Sequence, residues 1–190
     1  TALGVPCDIS NAHDVQDAVG KVVRAYGGVD ILVNNAYDPA SPFSSILDLS
    51  VEQLQRNFEM GPIAYLRLMQ ACYPQLKASG EGRVINFASM AGVLGWSGYG
   101  PYNMAKEAVR ALTRTAAREW GADRITVNNV LPVADTKGVA SGDAPPLRIN
   151  ALARFGSAEE DVAPVVLFLA SKDAQFLTGY SLAPDGGAII

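Results

Sequence analysis

Apolar side chains at Val15, Ala18, Val19, Val22, Val23 and Tyr26 recur at steps of three and four. That period puts them on one face of an amphipathic helix. Ser10-Asn11 caps its start and Gly27-Gly28 closes its end. The pattern then changes. Residues 29–34 (VDILVN), 83–87 (RVINF) and 124–131 (RITVNNVL) are short apolar runs, rich in β-branched side chains and bounded by Gly or Pro. Such runs suit buried parallel strands. Longer helical periods separate them, over 54–76 and over 102–120, the latter ended by Gly121. Another runs to Leu169 from the capping box Ser157-x-x-Glu160. Strands alternating with helices of this length predict βαβ units, hence an α/β fold with a doubly wound parallel sheet. Residues 133–150 form a Pro/Gly-rich loop after a strand's C-terminal end, the edge where such sheets bind ligands.

Bulk properties narrow the picture. At 190 residues, 1–190 reads as a single domain able to bury a core. Hydrophobic residues make up 49%, as in a globular chain. No apolar run reaches the roughly 18 residues of a membrane span, and TALGVPCDIS has no signal-peptide pattern. Cys7 and Cys72 form no CxxC and read as free thiols of a reducing compartment, so a cytoplasmic location is expected. A net charge of −4 without a basic run argues against nucleic acid and anionic membranes as partners. His13, the sole histidine, falls in the first turn of a helix, so it is expected to be exposed and no His-based triad exists. No His/Cys/Asp cluster has metal-ligand spacing. Asp135 and Asp143, in the loop, are expected to be solvated.

Residues 97–109 (SGYGPYNMAKEAV) carry the chemistry. Tyr102 and Lys106 are four apart at a helix start, so they share a face, whereas Tyr99 has Asn103 at that offset. A free tyrosine has a pKa near 10, too high for a proton acceptor at neutral pH, and a nearby ammonium lowers it. A tuned tyrosine can exchange a proton with a carbonyl or alcohol oxygen. A second hydroxyl on that oxygen adds stabilisation, and Ser89, at the end of RVINFAS, is the candidate.

Ser89, Tyr102 and Lys106 in this order resemble the Ser…Tyr-x-x-x-Lys core of the short-chain dehydrogenase/reductase family. Further motifs follow in family order along nearly the whole chain. Asp8 in CDIS resembles the Asp that contacts adenine, and it also reads as an N-terminal cap. Asn34-Asn35-Ala36 resembles the NNAG motif, and Ala91-Gly92 follows the strand bearing the serine. Val127-Asn128 through Pro132 resembles the VNxxxPG strand end. Arg154-Phe155-Gly156 and Asp185-Gly186-Gly187 resemble the family's RFG and terminal DGG. The resemblance implies a Rossmann-type fold and hydride transfer between NAD or NADP and a carbonyl/alcohol pair. It implies Tyr102 as general acid/base, and Lys106 both lowering its pKa and binding the nicotinamide ribose. Ser89 would hold the substrate oxygen. Asp8, Asn35, Ala36 and Thr136 would contact the cofactor. Asn34, Asn35 and Asn128 read equally as structural ties. Trp96 and Tyr99 either line the substrate pocket or pack the loop. Family members commonly dimerise through the helices matching 54–76 and 102–120, so a homodimer or homotetramer is expected; Met60 and Met69 read as packing.

Four departures accompany the matches. The chain begins at the family's third strand, without the TGxxxGxG loop and its flanking strands, on the order of 50 residues; a longer parent is expected. Counting back from Gly61, Phe58 stands where the family usually has the Asn of a proton relay, and Asn57 lies about 100° away around a helix. Tyr37 replaces the glycine of NNAG, and Pro132 is followed by Val133 instead of Gly. Three readings therefore stand. The first is an NAD(P)-dependent oxidoreductase of a small or medium-sized carbonyl/alcohol substrate. The second is a non-catalytic scaffold or partner subunit. The third is a nicotinamide-independent dehalogenase-like relative, a reading Lys106 counts against because such relatives carry Arg there.

Overall fold

Strands β1 (Ile31–Asn34), β2 (Arg83–Phe87), β3 (Thr126–Val130) and β4 (Ser181–Leu182) lie side by side in chain order, all parallel. The computed structural model describes residues 1–38, 43–135 and 150–188. Among the described residues six α-helices flank the strands: α1 (Ala12–Tyr26), α2 (Val51–Phe58), α3 (Ala64–Ser79), α4 (Met90–Leu94), α5 (Gly100–Trp120) and α6 (Ala163–Ala170). The fold is the expected Rossmann-like α/β arrangement.

Period-two alternation sorts the sheet residues between two layers. Val84 and Val127 join Met69, Cys72 and Leu76 of α3 and Ala116 and Ala117 of α5 in one core. Ile85 and Val130 join Leu169 of α6 in the other. Leu32 of β1 packs on the α3/α5 side. Ile31 and Val33 face the other way and stay 44% and 43% exposed, because α6 lies over β2 and β3.

Asn34, Asn86, Asn129 and Ser181 stand opposite one another in register across the four strands. Asn34 Nδ2 donates to Asn86 Oδ1 (2.8 Å), and Asn86 Nδ2 to Thr113 Oγ1 of α5 (2.9 Å). Thr113 donates in turn to Asn129 Oδ1 (2.7 Å), and Asn129 Nδ2 to Ser181 Oγ (3.2 Å). A row of buried amides in an apolar layer is tolerated because its members largely satisfy one another, Asn34 Oδ1 at its end being left without a partner among the described residues. Asn128 points to the other face, where it donates to the Leu177 carbonyl and accepts from Tyr180 N–H. Asn34 and Asn128 are thus structural ties.

Several local expectations are corrected. Residues 1–8 form no strand; an extended segment becomes one only through ladder bonds to a neighbour. The helix expected over 54–76 is two helices. Ser50 opens α2 earlier, in a capping box with Gln53. A π-helical turn, Glu59–Ile63, breaks it where Gly61 leaves helical geometry before Pro62, which lacks an N–H. The box at Ser157 is completed differently. Its hydroxyl accepts from Glu160 N–H, but its own N–H goes to the Asp161 carboxylate, which Arg154 also grips with two nitrogens. That grip holds the Asp161 carboxyl well below the usual range. β4 is too short to give a periodic signal.

The polar row generates a stability prediction. Thr113→Val keeps the volume but strips Asn86 Nδ2 and Asn129 Oδ1 of their shared partner. We expect a loss of about 1–3 kcal/mol in urea-monitored unfolding, the cost of buried polar groups left unpaired; an unchanged midpoint would contradict a structural role for the row.

Candidate active site

The carboxyl end of β2 builds the site. The chain leaves the strand through Ala88, and Ser89 caps α4 in an extended conformation, its Oγ accepting Ala91 N–H at 3.2 Å. The Ser89 hydroxyl also stands close enough to the Tyr102 phenol to favour its charged form. Tyr102 occupies the first turn of α5, just after Pro101. One turn later Lys106, only 4% exposed, sends its Nζ to the Phe87 carbonyl at the end of β2 (2.8 Å).

No carboxylate pairs with this lysine among the described contacts; three aromatic rings surround it instead. Nζ lies 5.0 Å from the Tyr37 ring centre and 5.6 Å from those of Tyr65 and Tyr102. Ring faces attract a cation and do so best where water is excluded. Tyr65, on α3, is 1% exposed and its hydroxyl reaches the Ala36 and Phe87 carbonyls at 3.4 and 3.5 Å. Tyr37 follows β1, meets Tyr102 edge to face at 5.0 Å, and donates its hydroxyl to Asn57 Oδ1 (3.2 Å). Asn57 is buried and anchored by its own donation to the Gln53 carbonyl (2.9 Å).

Burial dominates the electrostatics. It pushes the Lys106 ammonium down to about 8 and raises the phenols of Tyr37 and Tyr65. The net shift of the Tyr102 phenol is upward. Burial raises it, the Ser89 hydrogen bond supplies the opposing pull, and Tyr99 adds a smaller upward push. The ammonium lies over the Tyr102 ring at 5.6 Å, and desolvation wins.

The remaining candidates divide. Tyr99 bridges Tyr102 (6.2 Å), Trp96 (5.7 Å) and Phe43 (4.5 Å) through edge-on ring contacts, so Trp96 and Tyr99 belong to an aromatic band leading to Tyr102. Ala36 joins the group through the Tyr65 hydroxyl. Asn35 is exposed beside it. Asp8 has a turn role: its carboxylate accepts the N–H and hydroxyl of Ser10, while Asn11 caps α1. Thr136 and Asp143 lie outside the described residues. His13 is exposed beside Asp17, and Cys7 and Cys72 are free thiols. No metal-ligand cluster exists among the described residues, and no helix among them is long and apolar enough to cross a membrane. Sequence reasoning did not find Tyr65 or the contact of Asn57 with Tyr37. Tyr37 had a signal, as a large residue where NNAG has glycine; Tyr65 had none.

Comparison with known proteins gives consistent matches. The family described as enoyl-(acyl carrier protein) reductase matches residues 1–188. A 12α-hydroxysteroid dehydrogenase of Clostridium sp. is 39% identical over 184 residues, covering 91% of this chain and 69% of the relative. A trans-4-hydroxycyclohexanecarboxylate dehydrogenase of Sinomonas cyclohexanicum is 34% identical over 98% of this chain and 70% of its own length. Dehydrogenase/reductase SDR family member 4 of Oryctolagus cuniculus is 32% identical over 99% and 74%.

The buried lysine generates a pH prediction. Lys106 titrates near 8 in the fold and at an ordinary 10.5 when exposed. Between those values the unfolded chain binds more protons, so the Lys106 contribution makes stability rise with pH from about 8 toward 10. Above pH 10 the raised tyrosines pull the other way. Denaturant unfolding at pH 7.5 and 9.5 should show that rise in the wild type and its loss in Lys106→Met. The same slope in both would contradict the assignment.

Proposed function

The chain belongs to the short-chain dehydrogenase/reductase family, and from that premise we propose that this oxidoreductase interconverts a carbonyl and an alcohol with Tyr102 as general acid/base. One observation carries the reading: the Ser89 hydroxyl acts on the Tyr102 phenol, and Lys106 Nζ, one helical turn on, lies 5.6 Å from the Tyr102 ring centre. Two such hydroxyls can converge on one substrate oxygen. In the reducing direction Ser89 and Tyr102 both donate to the carbonyl oxygen. As that oxygen gains charge, the Tyr102 proton moves to it, and the phenolate left behind is stabilised by Ser89 and Lys106. In the oxidising direction the phenolate takes the alcohol proton. A Lys106 pKa of about 8 keeps a proton exchangeable next to Tyr102 near neutral pH.

The residues fit a nicotinamide nucleotide, NAD or NADP, which when bound supplies or accepts the hydride. Lys106 uses one of its three N–H groups on Phe87, leaving donors for ribose hydroxyls. Asn35 and Ala36 lie at the same strand-end edge. The aromatic band of Phe43, Trp96 and Tyr99 supports a ring-bearing substrate. The names of two relatives, a hydroxysteroid and a hydroxycyclohexanecarboxylate dehydrogenase, point to ring alcohols as well. We place the enzyme in the cytoplasm as a homodimer or homotetramer.

Tyr102→Phe in the full-length protein should lower kcat by at least about 10²–10⁴-fold, the worth of a positioned proton donor. Its melting temperature and nicotinamide affinity should stay near wild type. Undiminished turnover would sink the reading.

A further inference from the structure

We propose that Tyr37 is a gate over Lys106, latched shut by Asn57, and that a nicotinamide nucleotide binds only when this ring swings off the ammonium. The inference rests on the reading of Lys106 as a cofactor ligand.

An ammonium offers three N–H groups in a tetrahedral spread. One goes to the Phe87 carbonyl. The other sides face the rings of Tyr37, Tyr65 and Tyr102. No ribose hydroxyl reaches the nitrogen until one ring gives way. Tyr65 is held in the core with Val109 and Leu131, and its hydroxyl points at two backbone carbonyls. Tyr102 is held in the first turn of α5, its ring against that of Tyr99. Tyr37 differs from both. It sits in the connection after β1, outside any helix or strand, and is half-buried.

The closed position is nonetheless defined. The Tyr37 hydroxyl meets Asn57 at 3.2 Å, and Asn57 is fixed on α2 by the Gln53 carbonyl. Its ring is the nearest of the three to Nζ, at 5.0 Å. The ring and the incoming hydroxyls therefore compete for one cation, and the closed state lowers the apparent affinity by the fraction of molecules it occupies. Tyr37 is a positioning residue here and transfers no proton.

The test is a titration of the full-length protein with NADH and with NADPH, read by energy transfer from tryptophan, for four variants. Tyr37→Ala removes ring and latch and should bind the preferred nucleotide about tenfold more tightly than wild type, a difference of about 1.4 kcal/mol. Tyr37→Phe keeps the ring and loses the latch, and should tighten binding by a smaller factor, about threefold. Lys106→Met should weaken binding, and adding Tyr37→Ala to it should restore nothing, since the gate acts through the ammonium. Thermal melts establish that each variant folds; if Tyr37→Ala does not, Tyr37→Phe decides alone. Unchanged or weaker binding in the Tyr37 variants overturns the gate, and so does a failure of every variant to bind. If Lys106→Met loses no affinity, the cofactor reading beneath it fails instead.

Discussion

A single row of buried polar side chains sets the geometry of this protein. Asn34, Asn86, Asn129 and Ser181 line up across four parallel strands, with Thr113 inserted from α5. Each amide would be costly in an apolar layer on its own. Together they form their hydrogen-bonded chain only in one register, because a slip of one residue turns every side chain to the other face. The row therefore locks strand alignment and the seating of α5 at once. Lys106 lies two helical turns before Thr113, on the same face. Once Thr113 is seated, Lys106 arrives at the Phe87 carbonyl and Tyr102 at Ser89.

The site built this way is dry around its cation. Among the described residues this lysine meets no carboxylate and is held by a carbonyl dipole and ring faces, interactions that do not add a compensating charge. Desolvation then goes largely unopposed, and the ammonium becomes a weaker base than a surface lysine. The same burial raises Tyr102, so the fold keeps the phenol protonated and leaves Ser89 to favour the charged form.

The helix break at Gly61–Pro62 shapes the other wall. It divides a stretch that would otherwise run straight past the site. Asn57, before the break, reaches Tyr37, and Tyr65, after it, reaches the Phe87 carbonyl. Both sides of the interruption thus contribute to the surroundings of Lys106, one directly and one through Tyr37.

Apolar periodicity was sufficient to reveal the strands around Leu32, Val84 and Val127 and the helices α1 and α5. Those patterns are local consequences of burying one face, and they determined the α/β class without further information. The four-residue spacing of Tyr102 and Lys106, with Ser89 upstream, was likewise legible, since a helix converts sequence offset directly into a shared face. Tertiary structure alone decided what surrounds that pair. Tyr37, Asn57 and Tyr65 come from β1's exit, α2 and α3, and no local rule links residues so far apart in sequence. The break at 59–63 was hidden because apolar spacing continues through it, while the backbone yields at Gly61. The upward shift of Tyr102 was hidden for the same kind of reason. Sequence shows the neighbouring ammonium, but the depth of burial that outweighs it exists only after the helices have closed over the sheet.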